Sequence, residues 1–133
     1  MKYTGQKEKD KGKRVGMDNE LVERTFAFSV TVLDFLEKLP KTNITTLIIT
    51  QLAKSATSIG ANYEEAQGAH SKEDFYFKIG ICLREARESN YWLRLVKSKK
   101  WAVENTALST LIKESNELKL IFGKIFSSRA NKN

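Results

Sequence analysis

The sequence predicts an all-α protein, an up-down-up-down antiparallel four-helix bundle. Three observations carry this. Apolar residues recur at steps of three and four along four stretches of roughly 20–28 residues. A single proline and seven glycines leave little to interrupt them. The connections between the stretches are short, which makes sequence neighbours antiparallel.

The first helix is expected from about Asn19 to Leu39. Asp18 or Asn19 serves as its cap, and Glu20 and Glu23 lie in the first turn, where the helix dipole favours acids. Leu21, Thr25, Phe28, Val32, Phe35 with Leu36, and Leu39 form its core-facing stripe. Pro40 ends it, because proline disfavours helical geometry in the residue before it. The second helix starts after Thr42 or Asn43 and runs to about Ala69, with Ile44, Ile48, Leu52, Ala56, Ile59, Tyr63 and Ala66 inward. Leu47-Ile48-Ile49 has strand propensity alone, but the period on either side is helical. Gly60 costs up to ~1 kcal/mol in a helix interior, so it marks close approach of a neighbouring helix.

Ser71-Lys72-Glu73-Asp74 reads as a capping box opening the third helix, whose apolar face continues through Phe75, Ile79, Cys82, Leu83, Ala86, Leu93 and Val96. It should end in the basic cluster Lys97–Lys100, suited to a helix C-terminus. The fourth helix runs from about Glu104 to Phe126 through Leu108, Leu111, Ile112, Leu118, Ile121, Phe122 and Ile125. The expected organisation is a disordered basic tail at 1–16, a bundle at 17–127 and a disordered tail at 128–133.

The net charge of +7 is concentrated at the ends. Residues 1–14 hold six Lys/Arg against two Asp/Glu, and Arg129 and Lys132 lie near the C-terminus, so the bundle itself is close to neutral. That weakens a nucleic-acid argument made from isoelectric point alone. One cysteine, Cys82, allows no internal disulfide and fits a reducing compartment. No apolar run approaches the ~18–20 residues of a membrane helix. The basic N-terminus has no apolar segment behind it, unlike a secretory signal. A cytoplasmic protein with no membrane partner is expected.

Catalytic chemistry is thinly represented, and no catalytic residue, metal or cofactor is expected. The single histidine, His70, falls in a turn, and one His with one Cys cannot assemble a Cys/His zinc site. Glu-x-x-His pairs of the kind that hold a di-iron centre are missing, as are phosphate-binding glycine loops and Gly-x-Ser-x-Gly.

Gln51, Ser55, Ser58, Asn62 and Glu65 step by four, three, four and three beside the apolar face of the second helix. Asp74, Lys78, Ile81, Glu85, Glu88 and Trp92 step likewise on the third. A turn at Ala69–His70 would set Asn62 opposite Lys78, Ser58 opposite Cys82 and Ser55 opposite Glu85. Gln51, Ser55, Ser58, Asn62, Glu65, Lys78, Glu85 and Glu88 therefore read as a polar network that fixes register. The competing reading is a site lined by Asn62, Glu65, Lys78 and Glu85. The network carries more weight, because bundles use such networks to specify packing.

A third pattern is basic. Arg84, Arg87, Tyr91 and Arg94 step by three, four and three, and Lys97, Lys99, Lys100 and Trp101 follow. Cations interleaved with aromatics suit phosphate contact plus base stacking. Glu85 and Glu88 break up the arginines, however, so a solvated or subunit-facing surface is the stronger reading.

Arg24-Thr25, Phe28, Leu39-Pro40, Gln51-Leu52 and the block Ser55-Ala56-Thr57-Ser58-Ile59-Gly60-Ala61-Asn62-Tyr63-Glu64-Glu65-Ala66 resemble the bacterial four-helix-bundle protein family. Ser71-Lys72, Asp74-Phe75, Lys78-Ile79, Glu85-Ala86, Glu88 and Tyr91-Trp92-Leu93 extend the resemblance, which covers roughly residues 20–125. The family includes proteins encoded inside intervening sequences of large-subunit ribosomal RNA genes. The resemblance implies an up-down bundle assembled into a ring-shaped homopentamer. A related branch, the accessory proteins of diversity-generating retroelements, implies a basic pentamer that binds reverse transcriptase and nucleic acid. Lys54 stands where an arginine commonly precedes the Ser-x-x-Ser motif, and the near-neutral body departs from the strongly basic accessory proteins. The expected protein is thus a non-enzymatic homo-oligomeric scaffold or binding module, with Trp92 and Trp101 as interface candidates. The alternative is an accessory protein that binds RNA or a nucleic-acid-associated protein.

Overall fold

The computed structural model describes residues 11–102 and 106–131, with side chains from Glu20 onward. Its four helices are α1 (Lys11–Glu37), α2 (Asn43–Gln67), α3 (Lys72–Lys99) and α4 (Thr106–Ser127), followed by a short 3-10 turn, Ser128–Ala130. Consecutive helices pack side by side and α4 returns against α1, so α1 and α3 occupy one diagonal of the bundle. The predicted stripes supply the core. Phe28, Val32, Leu52, Ile59, Tyr63, Ile79, Cys82, Leu93, Leu118 and Phe122 are all buried within it.

α1 begins at Lys11, upstream of the Asp18/Asn19 start, because extending a formed helix costs far less than nucleating one. Of the tail expected at 1–16, residues 1–10 lie outside the described residues, and the chain is helical from Lys11 onward. The reciprocal capping box is at α2 rather than α3. Thr42 Oγ1 accepts the Thr45 N–H at 3.1 Å, and Thr45 Oγ1 accepts the Thr42 N–H at 2.8 Å. At α3, Ser71 accepts the Asp74 N–H at 3.0 Å without the return bond. α3 ends one residue before Lys100, which takes a left-handed conformation at φ 60°. The polar tail expected from 128 starts as an ordered turn: Ser128 Oγ lies 3.1 Å from the Tyr76 hydroxyl, and the Arg129 guanidinium stacks 3.8 Å above the Phe126 ring.

Gly60 marks the close approach its position suggests. A Cβ there would sit 3.3 Å from Thr25 Oγ1 and 3.4 Å from the Thr25 carbonyl carbon on α1. Thr25 is wholly buried, and its hydroxyl donates to the Leu21 and Val22 carbonyls of its own helix, both at 3.0 Å. Ser29 Oγ reaches across to the Ala56 carbonyl at 3.2 Å. Small side chains on α2 thus let the two backbones meet. Midway along its length α1 is held to α4 by Arg24, whose guanidinium donates to both carboxylate oxygens of Glu114 at 2.7 and 2.9 Å and to Glu117 at 2.8 Å.

Candidate functional site

The polar line between α2 and α3 is real but is not one network. Ser89 donates to Ser55 Oγ at 2.9 Å, deep in the bundle. Lys78 pairs with Glu65 at 2.8 Å near the surface, and that hydrogen bond is the first cause holding the Lys78 ammonium above its ordinary pKa. The Cys82 thiol points at the Ile59 carbonyl, 3.4 Å away. The expected pairings Asn62–Lys78, Ser58–Cys82 and Ser55–Glu85 are therefore displaced by up to a turn. Side chains lean toward the N-terminus of their helix, away from the connecting turn in α2 and toward it in α3, so an α2 residue meets an α3 residue farther from the turn than backbone counting gives. Asn62 turns back to the Ser58 carbonyl at 2.9 Å, Gln51 is exposed, and Glu85 and Glu88 bind Arg84 and the Trp92 indole N–H within α3. Asn62, Glu65, Lys78 and Glu85 consequently do not converge on one pocket.

A second buried polar contact links α3 to α4. Asn90 Nδ2 donates to Ser115 Oγ at 3.0 Å and to the Ile112 carbonyl at 3.3 Å, while its Oδ1 accepts from Arg94 Nε at 2.8 Å. The sequence reading missed it, although Asn90 follows Ala86 by four residues and Ser115 lies between Leu111 and Leu118 on an apolar stripe. Every buried side-chain nitrogen and oxygen among the described residues has a partner. Burial pushes the Cys82 thiol up to about 12, which leaves it a core residue rather than a nucleophile. No group of His, Cys, Asp and Glu among the described residues is placed to hold a metal ion.

What remains chemically available lies on outer faces. On α3, Arg84, Arg87, Tyr91 and Arg94 form one exposed line, with Lys97, Lys99 and Lys100 beyond it. Arg94 lies 5.8 Å from the centroid of the Tyr91 ring. Toward the start of α3, exposed Phe77 borders an open groove of about 670 Å³ with Gly80, Ile81 and Phe126 at its apolar floor and Lys72, Glu73, Arg84 and Arg129 around it. Trp92 and Trp101 are half-buried against the core. The large apolar side chains on the surface are others, Phe26, Val30 and Leu33 of α1 and Ile44 and Leu47 of α2 among them.

The 23S rRNA-intervening sequence protein family matches residues 17–123, nearly the whole bundle. The chain belongs to that family. Among solved structures, it is similar to a protein of unknown function from the S23 ribosomal protein family of Bacteroides thetaiotaomicron. The two share 29% identity with a TM-score of 0.72 over 83% of this chain and 97% of the other. No curated protein matches the chain. The bundle spans the matched residues, and within it small residues of the Ser55–Ala66 block make the α1–α2 and α2–α3 contacts. No described helix is long and apolar enough to cross a membrane.

Proposed function

We propose that this protein is a non-enzymatic scaffold or binding module that acts as a homo-oligomer, a pentamer, in the cytoplasm. The observation that carries the reading is the placement of large apolar side chains. Phe26 and Leu47 are 62% and 66% exposed, and they belong to helix faces that the bundle has no means of covering. Phe26, Val30 and Leu33 step by four and three, so they form one exposed apolar line along α1, and such a line marks an association site. Light scattering on the full chain at micromolar concentration tests it. The expected mass is about five times the 15.2 kDa of one chain; a mass of one chain across that range contradicts the reading.

A second reading is supported by the outer face of α3. Arg84, Arg87, Arg94, Lys97, Lys99 and Lys100 are all exposed around Tyr91, an arrangement suited to phosphate contact with base stacking. On this reading the protein is an accessory factor for RNA or for a nucleic-acid enzyme. RNA binding by a chain beginning at Met17 should then persist without the basic N-terminus and weaken steeply with salt. Glu substitutions at the three arginines should abolish it, and unchanged binding would count against this reading.

A further inference from the structure

We propose that the outer faces of α1 and α3 are the two complementary halves of one contact between copies of this chain, α1 of one copy lying on α3 of the next. The inference rests on the oligomeric reading above and specifies its interface. On α1, Glu23, Phe26, Val30, Leu33 and Glu37 step by three, four, three and four, so they form one line, with Asp34 beside it, and all are exposed. Acids therefore flank an apolar centre along roughly 21 Å of helix. The one cation in this part of α1, Arg24, is held by Glu114 and Glu117 on α4 and does not neutralise the line. None of Glu23, Asp34 or Glu37 makes an ion pair among the described residues.

The outer line of α3 has the opposite character. Phe77 and Tyr91 are 64% and 51% exposed, and Arg84, Arg87 and Arg94 surround Tyr91. Of the acids near this face, Glu73 is exposed beside Phe77 and Glu85 pairs with Arg84 at 3.2 Å, which leaves Arg87 and Arg94 as the cations with no carboxylate partner among the described residues. Glu85 is only 15% exposed at its side chain, and Glu88 accepts the Trp92 indole N–H at 3.0 Å. Pairing α1 with α1 would set acids on acids, and α3 with α3 would set arginines on arginines. Of these three pairings, only α1 on α3 joins opposite charges around apolar side chains. Because α1 and α3 lie on one diagonal, their outer faces point away from each other and cannot meet within one chain. A contact between two different faces is heterologous, and such contacts build rings when the rotation closes. A protein surface is thus favoured over nucleic acid for the arginine line, since the matching acid line is on the same chain.

The test compares three full-length proteins by light scattering, with circular dichroism as the fold control. One carries Arg84→Glu, Arg87→Glu and Arg94→Glu; another carries Glu23→Arg, Asp34→Arg and Glu37→Arg; the third carries all six. Each triple variant should fall to the mass of one chain. Their equimolar mixture and the six-fold variant should both regain higher mass. If either triple variant loses helicity, neutralisation by Gln and Asn at the same positions replaces it and should weaken self-association at least tenfold. Wild-type mass in a triple variant overturns this interface and leaves the oligomeric reading standing, whether or not RNA binding is lost. Failure of both the mixture and the six-fold variant to reassemble overturns the interface as well. A wild-type protein that is itself monomeric removes both.

Discussion

The α2–α3 hairpin and α1 contribute to one core, yet they handle polarity in opposite ways. Between α2 and α3, hydroxyl and thiol groups replace larger side chains at the contact and are satisfied inside it: Ser55 by Ser89, Cys82 by the Ile59 carbonyl. α1 makes its close contact with Thr25 against Gly60, but its charged attachment to α4 is at the surface and its outer line is apolar and acidic. The contact inside the hairpin is complete in one chain, while Phe77 and Tyr91 on its outer face stay exposed. α1 is finished on its inner side only, which is what a helix needs if its other side meets a second molecule.

Substitutions in the two regions should differ in size of effect. The largest effect belongs to the shared core. Phe122 is wholly buried and meets Tyr63 edge-on at 5.5 Å, so Phe122→Ala should cost about 3–5 kcal/mol in denaturant unfolding. Cys82 probes the hairpin through titration. Its folded pKa, about 12, lies above the ordinary thiol value of 9.0, so the native state holds this proton more tightly than the unfolded chain. Stability from this group is present below pH 9 and is lost as pH rises through 9 to 12. The native thiol should accordingly resist an aromatic disulfide reagent at pH 8 and react on unfolding.

Gly60→Ala tests the α1–α2 approach. Overpacking against the Thr25 backbone should exceed the gain in helix propensity and leave a net loss of about 1 kcal/mol. A stabilised variant would show that α1 can move away at little cost. Arg24→Met should cost at most about 1 kcal/mol, because the guanidinium and both carboxylates are partly solvated and salt screens them. A double-mutant cycle with Glu114→Gln measures the coupling. The smallest effect on stability, within about 0.5 kcal/mol, should come from Phe26→Ala on the exposed face of α1. Its effect should appear in assembled mass instead, and a large loss of stability would place Phe26 in the fold rather than at an interface.

Four helices and their buried faces were legible because a period of 3.6 over more than twenty residues leaves few alternatives. Gly60 was legible because a glycine in mid-helix has a cost that a close contact explains. Pairing across helices was harder. Backbone counting set Ser55 against Glu85, whereas the lean of side chains brings Ser89 to it, a residue that reads in sequence as an ordinary small core position. Arg24 with Glu114 and Glu117 joins elements ninety residues apart, and no local pattern reports such a pair. The apolar line on α1 was hidden for a different reason: Phe26, Val30 and Leu33 alternate with the core residues Thr25, Phe28 and Val32, and only packing separates inner from outer.

The most direct test of the account is the molar mass of the unmodified chain by light scattering at micromolar concentration. A stable assembly near five times 15.2 kDa is the predicted result. A single species of one-chain mass, unchanged on concentration, would contradict it and leave the apolar faces of α1 and α2 without an explanation.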